Sequence, residues 1–552
     1  MRVVIVGGVA AGMSAATRLR RLDERAEIVV VERGEHVSFA NCGLPYHLGG
    51  VIEHRDALLL QTPESLAARF RIDVRVRTEA VAIDREARAL AVVDLATGER
   101  SWLPYDRLVL ATGADAMPPL PGGGTPVHQL RTIADMDAVL AVLEAAPEGA
   151  PVLVVGAGFI GLEAVENLVA RGQRVTLVSR GDRPLSRLDL ALSEAVSDAL
   201  ERHGVELLLG TVVDEVVAGG ARLSDGRTLD AALVLDARGV RPAARLAADA
   251  GLALGPRGGI AVDASHATSD PAILAVGDAV EQRDAVDGAP ALVAMAGLAN
   301  RGGREAADAI AGLPVAAAPA LGTAIVQVFD RTVAMTGWSP EHAAAQGRPH
   351  RVVRTHPAHH AGYYPGAEQM SIVLVVDEAD DRILGAQIVG GAGVDRRIDV
   401  LAVAMRAGLT ASSLVDLELA YAPQFGSAKD PVNLLGMVAQ NRASGVAAAI
   451  AWHDVEAAVA AGAVVVDVRT EAEHDRGAIP GSTSIPVDAL RERLDELRGR
   501  EVIVHCQVGQ RAHVAQRILA QHGVAARNLD GGWLTWRAGD RARRRARALE
   551  HA

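Results

Sequence analysis

Two cysteines, Cys42 and Cys506, are all that the 552-residue chain contains. A disulfide framework is thereby excluded, as is a zinc or iron–sulfur centre built from cysteine alone, and no metal site is expected. Lysine is scarcer still: Lys429 is the only one, and the other basic side chains are arginines. Such a bias reflects a GC-rich genome before it reflects guanidinium chemistry. Aromatic residues make up only 3%. Positive charge is not in excess either, because the formal net charge of −12 excludes a global basic field for nucleic acid or an anionic membrane. Long apolar runs are missing: Val3–Val6 is too short and too soon broken by glycine for a signal sequence or a membrane span, so the chain reads as cytoplasmic, where free thiols persist.

What is present is ordinary globular usage, 49% hydrophobic and 22% charged, enough for several cores and against a disordered chain. At roughly 100–200 residues per domain, the length predicts three to five domains. With no cysteine framework to build, the two thiols become candidates for chemistry.

The apolar run Val3–Val6 leads into Gly7-Gly8-Val9-Ala10-Ala11-Gly12, an Ala-rich helical pattern and a second run ending in Glu32. This is a βαβ start: glycines permit a tight turn and close approach to a pyrophosphate, and an acid about 20 residues on can bind ribose hydroxyls. Val9 stands where the middle glycine would be. A second, complete copy follows, Val152–Val155 and then Gly156-Ala157-Gly158-Phe159-Ile160-Gly161. Two dinucleotide motifs most simply mean a flavin reduced by a nicotinamide. Two buried-strand runs flank the second motif in the chain, one ending in Ala111-Thr112-Gly113 and the other in Gly277-Asp278.

In this order the motifs strongly resemble the flavin-dependent pyridine nucleotide–disulfide oxidoreductases over roughly the first 440 residues. The resemblance implies that Gly7, Gly8, Ala10, Ala11 and Gly12, with Glu32 and Arg33, hold the adenosine half of FAD. It further implies that Ala111, Thr112 and Gly113 close the FAD domain and that Gly277 and Asp278 reach the ribityl chain. Gly156, Gly158, Phe159, Ile160, Gly161 and Glu163 would serve the nicotinamide nucleotide. The second strand of that unit ends in Ser179-Arg180 where an NADH enzyme usually has an acid. Loss of a carboxylate and gain of a guanidinium favour a 2′-phosphate, so NADPH is expected to serve at least as well as NADH.

Cys42 sits in Ser38-Phe39-Ala40-Asn41-Cys42-Gly43-Leu44-Pro45-Tyr46 with no second cysteine nearby, so it must work as a monothiol. This segment is similar to that of the coenzyme A-disulfide reductases and their persulfide-reducing relatives. Sister enzymes that reduce peroxide or oxygen carry a histidine at the place of Ala10, and its absence counts against that chemistry. Four of the five tyrosines fall in these motifs: Tyr46 in the Cys42 segment itself, and Tyr363, Tyr364 and Tyr421 in the stretches 360–366 and 421–431, which look like the segments that reach Cys42 of the partner subunit in a homodimer. Tyr421 and one of Tyr363 and Tyr364, with Tyr363 preferred, are expected to donate protons there. By resemblance, Ser14, Arg18, Arg21, Ser38, Asn41, Asn300 and Lys429 line the path of coenzyme A. A further basic position of the family is Phe70 here, between Arg69 and Arg71.

The C-terminal pattern resembles a single rhodanese domain over roughly 90 residues: Val464–Arg469, Gly477-Ala478-Ile479-Pro480-Gly481, His505-Cys506-Gln507-Val508-Gly509-Gln510-Arg511 and Gly531-Gly532-Trp533. A strand-to-helix turn aims backbone N–H groups at Cys506, and these with Arg511 would stabilise a thiolate or persulfide. Cysteine-dependent phosphatases use a loop one residue longer, so the spacing suits sulfane sulfur. Arg541–Arg547 reads as a solvated helix or disordered basic tail.

The expected fold is α/β, with two nested Rossmann-like FAD and NAD(P)H domains, an α+β dimerisation domain and an α/β rhodanese domain. The expected boundaries are 1–118 and 246–320 for FAD, 119–245 for NAD(P)H, 321–440 for dimerisation, 441–450 for a linker, 451–540 for the rhodanese and 541–552 for the tail. The expected activity is reduction of CoA disulfide, CoA persulfide or polysulfide by NAD(P)H through FAD and Cys42, with Cys506 carrying sulfur. An NAD(P)H oxidase or peroxidase, and a sulfur carrier with a redox-sensing flavoprotein half, are the alternatives.

Overall fold

The computed structural model describes residues 1–550. They divide into two compact units, Met1–Val178 with Thr211–Gly322, and Ser179–Gly210 with Thr323 onward.

In the first unit, the apolar run Arg2–Val6 is the centre of a five-stranded parallel sheet ordered Ile273–Ala275, Arg107–Leu110, Arg2–Val6, Glu27–Val31 and Ile72–Arg75. Successive side chains alternate faces, so Val3 and Ile5 join one core while Val4 and Val6 join another. Helix α1 (Ala10–Leu22) covers the first face and packs on the helix Ala296–Ile310. The strand Pro151–Val155 is centred in a second parallel sheet, between Arg174–Ser179 and Leu233–Asp236, and is followed by α2 (Phe159–Ala170). The first sheet thus draws its last strand from beyond the whole second sheet, which is how an inserted domain appears in topology.

Both sheets solve the strand–helix turn alike. A side chain on Gly12 would run into the Gly7 carbonyl, and one on Gly161 into the Gly156 carbonyl, while Gly7 and Gly156 have φ of +104° and +113°. Only glycine allows the helix to sit so close to its strand.

The second unit holds α3 (Leu190–Arg202), a five-stranded antiparallel sheet and the C-terminal module. The sheet runs Ala324–Val328, Arg331–Gly337, Ile383–Gly390, Ser371–Asp377, His350–Thr355, and of its three inner strands Ser371–Asp377 and Ile383–Gly390 are almost wholly buried. The C-terminal module is a parallel sheet ordered Ala449–Ile450, Ala526–Leu529, Val502–His505, Val464–Asp467 and Thr483–Ser484, with α4 (Gln510–Gln521) and α5 (Gly532–Glu550). A buried ion network joins these pieces: Arg354 pairs with Asp189 at 2.7 Å and Asp530 at 3.6 Å, and Arg442 with Asp530 at 2.6 Å.

The architecture matches the expected fold class. Of the two expected forms of the basic segment the helical one is found: α5 runs unbroken through Arg541–Arg547 with Arg541, Arg544 and Arg547 exposed, but its charges are not left to solvent alone. Arg541 pairs with Glu194 at 3.3 Å, Arg545 with Glu201 at 2.5 Å, and Arg543 lies 4.9 Å over the Trp452 ring. Arg541 and Arg545 face acids of α3, and residues 179–210 belong to the second unit rather than to the sequence-adjacent nucleotide fold.

Candidate active site

Three clusters gather most of the expected site residues. The first surrounds Cys42. Ser38 has a left-handed φ of +48°, unusual for a residue with a side chain, and is held there by its N–H donating to the Gly8 carbonyl at 2.8 Å. The turn it starts carries Asn41, whose Oδ1 accepts from the Cys42 N–H at 3.1 Å and faces its Sγ at 3.7 Å. Tyr46, one helical turn on, donates to Glu163 of α2 at 3.2 Å. Burial first, then the Glu163 carboxylate, push the Tyr46 phenol up to about 12. Burial likewise raises the carboxyls of Glu163 and Asp278.

Cys42 is exposed at the cleft, yet its thiol is pushed up, by partial burial first and then by Glu163 and Asp278. At the pH where the thiol titrates, Glu163 is ionised, so Glu163→Gln removes a repelling charge. The Cys42 titration is expected to move to lower pH, read from the pH dependence of iodoacetamide labelling; an unmoved profile would leave burial and Asp278 as the causes.

Around the first glycine motif, Glu32 accepts from the N–H of Gly8 and of Gly34, both at 2.7 Å. Glu32, Arg33, Gly7 and Thr112 line a cavity of about 500 Å³. Thr112 donates to the Ala243 carbonyl at 2.7 Å, and Gly113 takes a φ of +68°. Ser14 donates to the Asn300 carbonyl at 2.9 Å, bringing two expected coenzyme A residues together. Arg18 is tied to Asp308 at 2.7 Å, while Arg21 is exposed. Phe70 packs on the core face of the first sheet, which accounts for an apolar residue there.

The second cluster is the tyrosine pair, Tyr363 and Tyr421, whose hydroxyls lie 3.1 Å apart with Tyr363 77% exposed. Tyr364 instead stands edge-on to His360, ring centroids 5.5 Å apart. The hydrogen bond with Tyr363 raises the Tyr421 phenol. Sequence reasoning missed the residue that joins their two loops: buried Arg397 donates to the His359 carbonyl at 2.8 Å and pairs with Asp430 at 2.8 Å. Lys429, next to Asp430, lines a cavity of about 300 Å³ with Val508, Gly509 and Gln510.

That cavity borders the third cluster. Cys506 is buried at the end of Val502–His505, and its Sγ accepts from the Gly509 N–H at 3.2 Å. The carbonyls of Cys506 and Gln507 point away, accepting from Trp533 at 2.8 Å and Leu534 at 3.1 Å, so the loop amides turn inward at the start of α4. Arg511 faces Cys506 and is gripped at both terminal guanidinium nitrogens by Glu473, at 2.7 and 2.8 Å. That fork holds the Glu473 carboxyl down at about 2. Glu473 lay 38 positions from Arg511 and carried no sequence signal beyond its place in a helix-capping pattern with Thr470.

Among the described residues no helix is long and apolar enough to cross a membrane, and no group of three or more His, Cys, Asp or Glu could hold a metal.

Comparison with known proteins agrees with this geometry. The family model described as pyridine nucleotide-disulphide oxidoreductase matches residues 1–298, that family's dimerisation domain matches 323–431, and a rhodanese-like domain matches 451–539. The coenzyme A disulfide reductase of Staphylococcus haemolyticus is 33% identical over 441 residues, 80% of this chain and 99% of that protein. The crystal structure of reduced Bacillus anthracis CoADR-RHD superposes with a TM-score of 0.95 at 41% identity, covering 98% of each chain. The NAD-dependent persulfide reductase from A. fulgidus superposes at 0.91 with 36% identity, covering 97% of this chain and 100% of that one.

Proposed function

The chain belongs to the pyridine nucleotide-disulphide oxidoreductase family, and from that premise we propose that it is a cytoplasmic, homodimeric FAD enzyme reducing CoA disulfide or CoA persulfide with NAD(P)H. The observation that carries this reading is the solitary Cys42 thiol among Tyr46, Glu163 and Asp278, in a chain whose only other cysteine ends a rhodanese loop. The residues fit FAD: the turn leaves no room for a side chain at Gly7, Gly8 or Gly12, Glu32 and Thr112 border the adjoining cavity, and Asp278 stands partly buried in the motif after Ile273–Ala275. When bound, FAD supplies the two-electron link between NAD(P)H and the thiol.

Cys42 supplies the nucleophile. Its thiolate attacks one sulfur of the CoA disulfide or persulfide, the sulfur–sulfur bond breaks, and the leaving thiolate or hydrosulfide takes up a proton. Tyr363 and Tyr421 of the partner subunit are the proposed donors, since their paired and exposed hydroxyls can pass a proton between them. Ser14, Arg18, Arg21, Ser38, Asn41, Asn300 and Lys429 would hold the coenzyme A arm, with Arg18 sharing its charge with Asp308. The non-reducing mass of the purified enzyme tests this directly. A coenzyme A or persulfide adduct mapped to Cys42 is expected, and an unmodified thiol that also fails to acquire one from CoA disulfide would refute the reading.

Arg180 is the proposed 2′-phosphate ligand. Arg180→Ala is expected to lower kcat/KM for NADPH roughly tenfold or more while leaving NADH nearly unchanged. Equal effects on both nucleotides would remove Arg180 from that role. The A. fulgidus neighbour is described as NAD-dependent, which makes the comparison of the two nucleotides the sharpest one here.

A further inference from the structure

We infer that α5, the last helix of the sulfurtransferase module, positions the turn that carries Arg180, so that nucleotide recognition depends on a helix from the other catalytic module. This rests on the reading of Arg180 given above. Arg180 opens an excursion that leaves the strand Arg174–Ser179, passes through α3 and returns along Glu206–Leu209 to Gly210.

The excursion is anchored at three levels, all within the second unit. At its mouth, Gly181, next to Arg180, accepts the Gly210 N–H at 3.0 Å. Gly210 in turn lies under Leu549 of α5, since a side chain at that glycine would stand 3.4 Å from the Leu549 Cβ. At the start of α3, Asp189 accepts from the N–H groups of Ala191 and Leu192 and is buried against Arg354. Along α3 itself, Glu194, Asp198 and Glu201 form one acidic row, and Arg541 and Arg545 of α5 form the answering basic row. Arg541 reaches Glu194 at 3.3 Å and Asp198 at 3.6 Å; Arg545 reaches Glu194 at 3.4 Å and Glu201 at 2.5 Å. Glu194 is only 5% exposed, so these arginines neutralise a carboxylate that water does not reach.

A guanidinium on an exposed turn loses conformational freedom when it grips a phosphate, and that loss weakens binding unless the turn is already fixed. The packing of α5 on α3 and Gly210 fixes it beforehand. Because the phosphate lies away from the reacting ring, its loosening removes uniform binding and raises KM without changing kcat.

The test uses the full-length, FAD-loaded dimer. The Arg541→Gln/Arg545→Gln double variant is expected to raise KM for NADPH roughly tenfold, with kcat and thiosulfate-to-cyanide sulfur transfer preserved and KM for NADH changed by about twofold or less. Arg545→Lys should retain the wild-type KM, whereas Leu549→Ala, which leaves every ion pair in place, should raise it in the same direction. The inference is overturned if KM for NADPH is unmoved in both the double variant and Leu549→Ala, if both nucleotides are weakened equally, or if kcat falls with KM unchanged. Arg180→Ala separates the two levels: if it leaves the NADPH-to-NADH ratio intact, the phosphate reading fails and the inference with it. If Arg180→Ala acts and the α5 variants do not, only the inference fails.

Discussion

Cys42→Ser is expected to abolish NADPH consumption with CoA disulfide or CoA persulfide, a loss of about three orders of magnitude or more, while a single equivalent of NADPH still bleaches the bound flavin. The two halves of that result separate the roles. The glycine turns and the α2 segment, proposed to hold the two nucleotides, do not include Cys42. Attack on a sulfur–sulfur bond needs a thiolate, and the chain has no second thiol near Cys42 to substitute for it. A serine hydroxyl keeps the size and the Asn41 contact but ionises far too weakly to attack sulfur. If the variant turned over CoA persulfide at the wild-type rate, the reductase reading would fall and a sulfur carrier with a redox-sensing flavoprotein half would replace it. Oxygen uptake without a thiol substrate should stay at background in both proteins, because Ala10 provides no proton donor on α1. Rapid uptake would favour the oxidase alternative.

The second large effect is expected from Cys506→Ala. Sulfur transfer from thiosulfate to cyanide should vanish, since the persulfide-bearing atom is gone, whereas CoA disulfide reduction should be untouched. Turnover with polysulfide is the informative quantity. Lys429 and the Val508–Gln510 stretch of the Cys506 loop border one cavity, and Lys429 belongs to the segment proposed to hold coenzyme A. If Cys506 supplies or accepts sulfane sulfur there, polysulfide-dependent NADPH oxidation should drop at least about tenfold; unchanged turnover would disprove the coupling. Glu473→Gln should give an intermediate phenotype. It frees Arg511 from its fork and leaves Cys506 in place, so thiosulfate activity should fall without disappearing.

Both nucleotide motifs were legible in the sequence because their physics is local: a strand, a turn too tight for side chains and a helix follow within a dozen residues. Cys42 and Cys506 were legible for the same reason, each within a short segment of unusual composition. What escaped was pairing across distance. Tyr46 and Glu163 are 117 positions apart, and Arg545 and Glu194 are 351 apart. No spacing rule relates such residues, and only the closed topology brings them together. The basic segment at the C-terminus shows the cost of reading charge alone. Arginines every three or four residues look solvated until the acids they answer are known, and those acids lie on a helix in the first half of the chain. Arg397 was missed differently, since a lone arginine in an Arg-rich chain carries no weight until it is found buried between two loops.

The buried contact of Arg354 with Asp189 and Asp530 bears on whether the enzyme can be taken apart. Asp530 comes from the sulfurtransferase module, and Asp189 and Arg354 come from the reductase portion. Cutting the chain at the 441–450 connector would leave Arg354 with Asp189 alone and take from Arg442 its paired carboxylate, and stranding one member of a buried ion pair typically costs about 3–5 kcal/mol. A rhodanese borrowed from another protein would bring the same deficit unless it carried an acid at that place. The two modules are therefore not interchangeable cassettes joined by a tether; they share charge balance, and a fusion made by swapping one of them must restore it.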